Sequence, residues 1–142
     1  MIELANKVEF GYDSEDEAFP PCDPGVMPFG SRVLIQVRTP KQKTKGGIIL
    51  TSETRETDAW NTQVAKVIAV GELAFKNRTT MEHWPEGSWC KPGDFVRVPK
   101  YGGDRWTVKT ADGKDEALLV IFNDLDLIGK VTGDPLAIKA FI

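Results

Sequence analysis

From Ser31 to Val131 a turn signal interrupts the chain every few residues, and the apolar runs between these signals are short and rich in β-branched residues. Arg32-Val33-Leu34-Ile35-Gln36-Val37-Arg38 places Val33, Ile35 and Val37 on one face at period two, and Gln63 to Val70 is a second strand ended by Gly71. Lys91-Pro92-Gly93-Asp94 sets proline and then glycine at the centre of a type II turn that leads into Phe95-Val96-Arg97-Val98. Tyr101-Gly102-Gly103-Asp104 and Asp112-Gly113 turn the chain on either side of Arg105 to Lys109. Glu116 to Phe122 is then a near-continuous apolar strand, and Asn123-Asp124 breaks it before a last segment, Leu125 to Val131. No amphipathic helix of useful length is present, so the fold class is all-β, a small barrel or sandwich.

A chain of 142 residues fits one domain. Its net charge of −3 argues against a dedicated nucleic-acid binder, and the charge is unevenly spread. Glu3, Glu9, Asp13, Glu15, Asp16, Glu17 and Asp23 face only Lys7 in the first 26 residues, a net of −6, which leaves the remainder at +3. Residues 1–27 combine these acids with Pro20, Pro21, Pro24, Gly11 and Gly25, and read either as a disordered tail or as an arm docked through Phe10, Tyr12 and Phe19. With neither an apolar span nor a basic and apolar leader, the expected location is the cytoplasm, away from membranes. Cys22 and Cys90 are far apart and outside any CxxC spacing, so both are expected to be free thiols.

Two segments exceed what a compact barrel needs. One is a long loop over residues 39–61 carrying Lys41, Lys43 and Lys45; the other is an insertion over residues 72–90 that holds Phe75, Met81, Trp84 and Trp89. Catalytic machinery has little to stand on. His83 is the single histidine and lies in the insertion, Gly46-Gly47 and Gly102-Gly103 lack the flanks of a phosphate-binding loop, and Asp124 and Asp126 read as turn formers with solvated charge. The expectation is a binding protein rather than an enzyme, without metal or cofactor. Within the long loop, Gly46-Gly47 precedes the aliphatic triplet Ile48-Ile49-Leu50, and mostly polar residues follow it, a pattern that suits a sticky tip on a hinge better than a core strand.

Taken in order, four pieces resemble the GroES-type co-chaperonins, the lids of the GroEL-type chaperonin ring. Pro28-Phe29-Gly30-Ser31-Arg32-Val33 is similar to the family's Pro-Leu-x-Asp-Arg-Val, and Gly46 to Leu50 is similar to the Gly-Gly-Ile-Val-Leu of its mobile loop. Val67-Ile68-Ala69-Val70-Gly71 matches Val-Leu-Ala-Val-Gly, and Lys91 to Val96 matches the Val-Gly-Asp-x-Val turn; Glu116 to Val131 stands in place of the closing Glu-Val-Leu-Ile…Asp-Ile-Leu-Ala. The resemblance spans Pro28 to Val131 and makes residues 1–27 and 132–142 extensions.

The resemblance implies a GroES-like β-barrel in a ring of seven copies, a homoheptamer. The partners it implies are a GroEL-type chaperonin and an unfolded client, with ATP used by the chaperonin and not by this chain. It assigns chaperonin binding to Ile48, Ile49 and Leu50 and the loop hinge to Gly46 and Gly47. Family subunits join first strand to last strand, here Gly30 to Val37 against Leu125 to Val131, which nominates Arg32, Val33, Leu127 and Ile128 for the interface. Trp84, Trp89 and Tyr101 fall in the roof and cavity region, where the insertion is expected to reshape the dome. Ser31 replaces the usual aspartate. The extensions and rebuilt roof resemble phage-encoded co-chaperonins, which implies a large viral client such as a capsid subunit in the host cytoplasm. Two rivals are the GroES-like barrel of a zinc-dependent alcohol dehydrogenase, which needs a ligand set and a dinucleotide domain that this chain does not show, and a phage structural or nucleic-acid-binding barrel using Lys41 to Lys45 and Trp106.

Overall fold

Where short β-branched runs are separated by tight turns, backbone groups find partners in neighbouring strands. The computed structural model, which describes residues 14–39, 63–99 and 101–138, contains one antiparallel six-stranded sheet. Its strands are β1 (Arg32–Val37), β2 (Val64–Val70), β3 (Phe95–Arg97), β4 (Asp104–Lys109), β5 (Glu116–Asn123) and β6 (Gly129–Lys130), in the spatial order β4-β5-β1-β2-β3-β6. The only α-helical element among the described residues is a single turn, α1 (Glu15–Ala18), capped by the Ser14 hydroxyl, which accepts from the Glu17 amide at 3.3 Å.

Period-two alternation on β1 sends Val33, Ile35 and Val37 into one core with Ala65 and Val67 of β2, Val96 of β3, and Val120 and Phe122 of β5. β5 and β3 lie three strands apart in the sheet order, a spacing of about 14 Å if flat. Their side chains share a core, so the sheet curls on itself as a small β-barrel, with β4 and β6 at the two ends of the strand order among the described residues. The register slips between Leu34 and Ile35, leaving Ile68 without an opposite residue, a β-bulge that sharpens the curl.

Gly93 has φ +96, and the Asp94 amide donates to the Lys91 carbonyl at 3.0 Å, which is the turn that the Pro-Gly pair predicts. Gly71 is needed for a different reason. A Cβ there would lie 2.1 Å from the Gly30 carbonyl oxygen and 2.9 Å from that of Arg32, where the chain entering β1 and the chain leaving β2 cross. Gly71→Ala should therefore lower stability by about 1 to 3 kcal/mol, seen as a reduced urea midpoint at unchanged slope; an unchanged midpoint would show that the crossing can spread.

The last segment differs from expectation. Asp124–Asp126 is a 3₁₀ turn and only Gly129–Lys130 pairs as a strand. The cause is Asp124, which is fully buried, so the solvated charge expected for it does not hold. Its carboxylate accepts from the Leu125 amide at 2.8 Å and from the Phe75 amide at 2.9 Å, and lies 3.4 Å from Arg78 Nη2. These bonds pull the chain out of the ladder and pin the insertion to the end of the sheet.

The second face of the sheet is covered by the N-terminal arm. From α1 the arm packs the Phe19 ring on Phe95, with centroids 5.2 Å apart, and then crosses the strands. The Pro20 carbonyl accepts from Gln36 Nε2 at 2.8 Å, the Pro21 carbonyl from the Ala111 amide at 2.8 Å, and the Pro24 carbonyl from Trp106 Nε1 at 3.0 Å. Proline has no N–H to satisfy and little backbone entropy to lose, so a proline-rich segment suits docking through its carbonyls. This explains why β1 is buried on both faces from Val33 to Val37.

Candidate interaction surfaces

The tip residues Ile48, Ile49 and Leu50 and the hinge pair Gly46 and Gly47 lie outside the described residues, as do Lys41, Lys43 and Lys45. The feet of the long loop are described. The Arg38 amide donates to the Val64 carbonyl at 2.9 Å, and the Val98 amide donates to the Gln63 carbonyl at 2.9 Å, which ties the two ends of the loop to each other and to β3.

The expected interface residues fall into a buried pair and an exposed pair. β1 pairs with β5 along one side and β2 along the other, so it has no open edge for a neighbour over Arg32–Val37. Val33, pointed inward by the alternation of β1, is fully buried, and Leu127, which follows the 3₁₀ turn, is only 7% exposed, both within the chain's own core. Arg32 and Ile128 are exposed. Just before β1, Met27 is 76% and Phe29 82% exposed, and with Val26, Arg32 and Ile121 they line a groove of about 420 Å³ beside the start of β4. At the opposite edge Ile128, 62% exposed, joins Trp89, Val96 and Leu127 in a second groove of about 330 Å³ along β6. Each end of the strand order thus carries an exposed apolar patch.

The insertion folds back on the barrel. The Trp84 amide donates to the Phe75 carbonyl at 3.0 Å, and Lys76 and His83 form an isolated bridge. Phe75, Trp84 and Trp89 stack into a cluster with centroid separations of 5.8, 5.7 and 4.9 Å. Phe75 is buried and the two tryptophans are partly buried, so the cluster stoppers one end of the core, while Tyr101 is exposed. Cys90 is buried in the same core, and burial pushes its thiol up to about 11, so it remains a protonated packing group.

Among the described residues no group of three or more His, Cys, Asp or Glu side chains is placed to hold a metal ion, and no helix is long and apolar enough to cross a membrane. Trp106, a candidate base-stacking residue, donates its indole N–H to Pro24 and is partly covered by the arm. Asp124 and the arm contacts of Gln36 and Trp106 escaped the sequence reading. The run Phe19-Pro20-Pro21 was the one available signal for the arm, and nothing local marks Asp124 as buried.

With this geometry in place, the comparison with known proteins is decisive. The family model described as "Chaperonin 10 Kd subunit" matches residues 25–131. The chain belongs to the GroES-type co-chaperonin family. Co-chaperonin GroES of Lactococcus lactis subsp. cremoris is 36% identical over 106 residues, covering 75% of this chain and 98% of the relative. Co-chaperonin GroES of Tetragenococcus halophilus is also 36% identical over 106 residues with the same coverage, and that of Clostridium beijerinckii is 36% identical over 96 residues, 87% of its length. The family match begins three residues before Pro28 and ends at Val131, so it leaves out most of the docked arm and all of the C-terminal tail of this co-chaperonin.

Proposed function

We propose that this chain is the subunit of a heptameric co-chaperonin lid that caps a GroEL-type chaperonin through Ile48, Ile49 and Leu50, with Gly46 and Gly47 as hinge. The observation that carries this reading is the match to GroES chains over 98% of their length, long loop and barrel together. The loop tip fits the task energetically. Burying three aliphatic side chains contributes roughly 5 to 9 kcal/mol, and ordering about ten loop residues at about 1 to 2 kcal/mol each costs a comparable amount. One loop would bind poorly; several on one ring gain avidity and can still let go when the chaperonin changes nucleotide state. ATP acts on the chaperonin, and this chain carries no cofactor in the reading. The client is an unfolded protein in the host cytoplasm, a large viral one such as a capsid subunit if the chain is phage-encoded.

The two apolar patches favour ring assembly. They sit on opposite edges of one sheet, so one kind can meet the other on a neighbouring copy, and such head-to-tail contacts close into a ring when the rotation permits. In this reading Met27 and Phe29 of one subunit meet Ile128 and the β6 edge of the next. Phe29→Asp and Ile128→Asp, both exposed, should leave the subunit folded and shift native mass from seven subunits to one or two at micromolar concentration. A full-size ring from both variants would place the interface elsewhere.

The direct test adds a GroEL-type chaperonin and ATP, then asks whether tryptic cuts at Lys41, Lys43, Lys45 and Arg55 become protected. Protection together with a seven-subunit native mass supports the lid; a monomer that the chaperonin leaves unprotected removes its premise. Equal folding of the same client by the host's own lid would count against a dedicated viral client.

A further inference from the structure

The two end extensions, far apart in sequence, meet at one place: the feet of the long loop. Ala18 and Phe19 of the arm bury against Val64, the first residue of β2, and Phe95, Val131, Leu136 and Ile138 complete this second cluster. None of the main core's residues comes from the arm or the tail; among the described residues, Ala18 and Phe19 of the arm and Leu136 and Ile138 of the tail pack together at this junction. On the other foot, the Thr39 amide donates to the Ala18 carbonyl at 2.7 Å, at the end of α1. Beside it the guanidinium of Arg38, a side chain only 6% exposed, donates through Nη1 to the carbonyls of Pro135 and Ile138. Those carbonyls belong to a single turn that Asp134 caps by accepting from the Leu136 amide at 2.9 Å.

We infer that the arm and the tail form a clamp that fixes the feet of the long loop, with Arg38 as its positioning residue, and that the clamp sets how tightly the loop is captured by a chaperonin. The functional half rests on the lid reading above; the clamp itself does not. Its logic is preorganisation. Each foot residue released from the clamp and frozen again on docking weakens capture by about five- to thirtyfold at a single loop, and a ring of loops multiplies the loss. Arg38 is suited to the role because a charged donor holding two carbonyls makes stronger bonds than a neutral one, and its buried position makes their loss hard to replace with water.

The test compares the full chain with a truncation after Thr132 and with Arg38→Gln. Hydrogen exchange at the Thr39 amide reads the clamp, native mass reads the ring, and titration with a GroEL-type chaperonin and ATP reads capture. The expected result is exchange at Thr39 at least about tenfold faster in both variants, ring mass unchanged, and capture weakened at least about tenfold. A disulfide between Thr39→Cys and Gln63→Cys, which face each other when the β1–β2 register is continued, should restore capture to the truncated chain. Unchanged Thr39 exchange overturns the clamp, and so does faster exchange with undiminished capture. Lost capture that the disulfide does not restore assigns the loss to a direct contact of the tail and also overturns it. Should the full chain itself escape capture, the lid reading fails, and Thr39 exchange alone decides whether the feet are clamped.

Discussion

Asp124→Ala is expected to remove about 2 to 4 kcal/mol of folding stability, because the buried amide of Phe75 loses its carboxylate acceptor at about 1 to 3 kcal/mol and the part-buried amide of Leu125 loses its own at about 1 kcal/mol. Arg78 adds little to this sum, since half of its side chain is exposed and its contact with Asp124 is 3.4 Å long. The loss is a large share of the ~5–15 kcal/mol that holds a small domain together. Phe75 should respond most, for it sits at φ 61, a conformation that costs a non-glycine residue about 1 to 3 kcal/mol and that the Asp124 bond helps to hold. Urea unfolding followed by fluorescence is a direct readout, because Trp84 and Trp89 pack on Phe75. Asp124→Asn keeps one acceptor oxygen and should lose about half as much. A midpoint for the alanine variant within the error of the parent would mean that water replaces the carboxylate.

The second large effect is functional. Ile49→Asp should abolish capture by a GroEL-type chaperonin while leaving ring mass unchanged. A carboxylate at the centre of the aliphatic triplet removes about 1.5 to 3 kcal/mol of apolar burial and adds the desolvation of a charge, several kcal/mol more if it stays ionised. In the proposed ring, avidity then multiplies the deficit over every loop. Loop protection from trypsin in the presence of ATP measures the outcome, and full protection of the variant would show that the tip residues lie elsewhere in the loop.

Much of the barrel was legible in the sequence because its rules are local. Alternation on β1, the Pro-Gly turn before β3 and the apolar run of β5 each express a short-range preference, and their strands lie within a residue or two of the expected bounds. What escaped depends on contacts across long separations. Asp124 looks like any turn aspartate until Phe75, 49 residues away in the chain, donates to it. Of the residues that the family's strand pairing nominates for an interface, Val33 and Leu127 are buried in the chain's own core while Arg32 and Ile128 are exposed, and the exposure of Met27 and Phe29 carries no sequence mark. The arm's composition left docking and disorder equally open, and its partners Gln36 and Trp106 carry no sequence mark of their role. The aliphatic tip, by contrast, stands on its motif and on the family to which the chain belongs.

The arm also separates two notions of a unit that usually coincide. The family match starts at residue 25, one residue after the carbonyl that receives the Trp106 indole N–H. Heredity therefore draws its boundary through the middle of a packed structure. A gene fragment trimmed to the shared region would take away the carbonyls that accept from Gln36, Ala111 and Trp106 and the Phe19 ring that packs on Phe95.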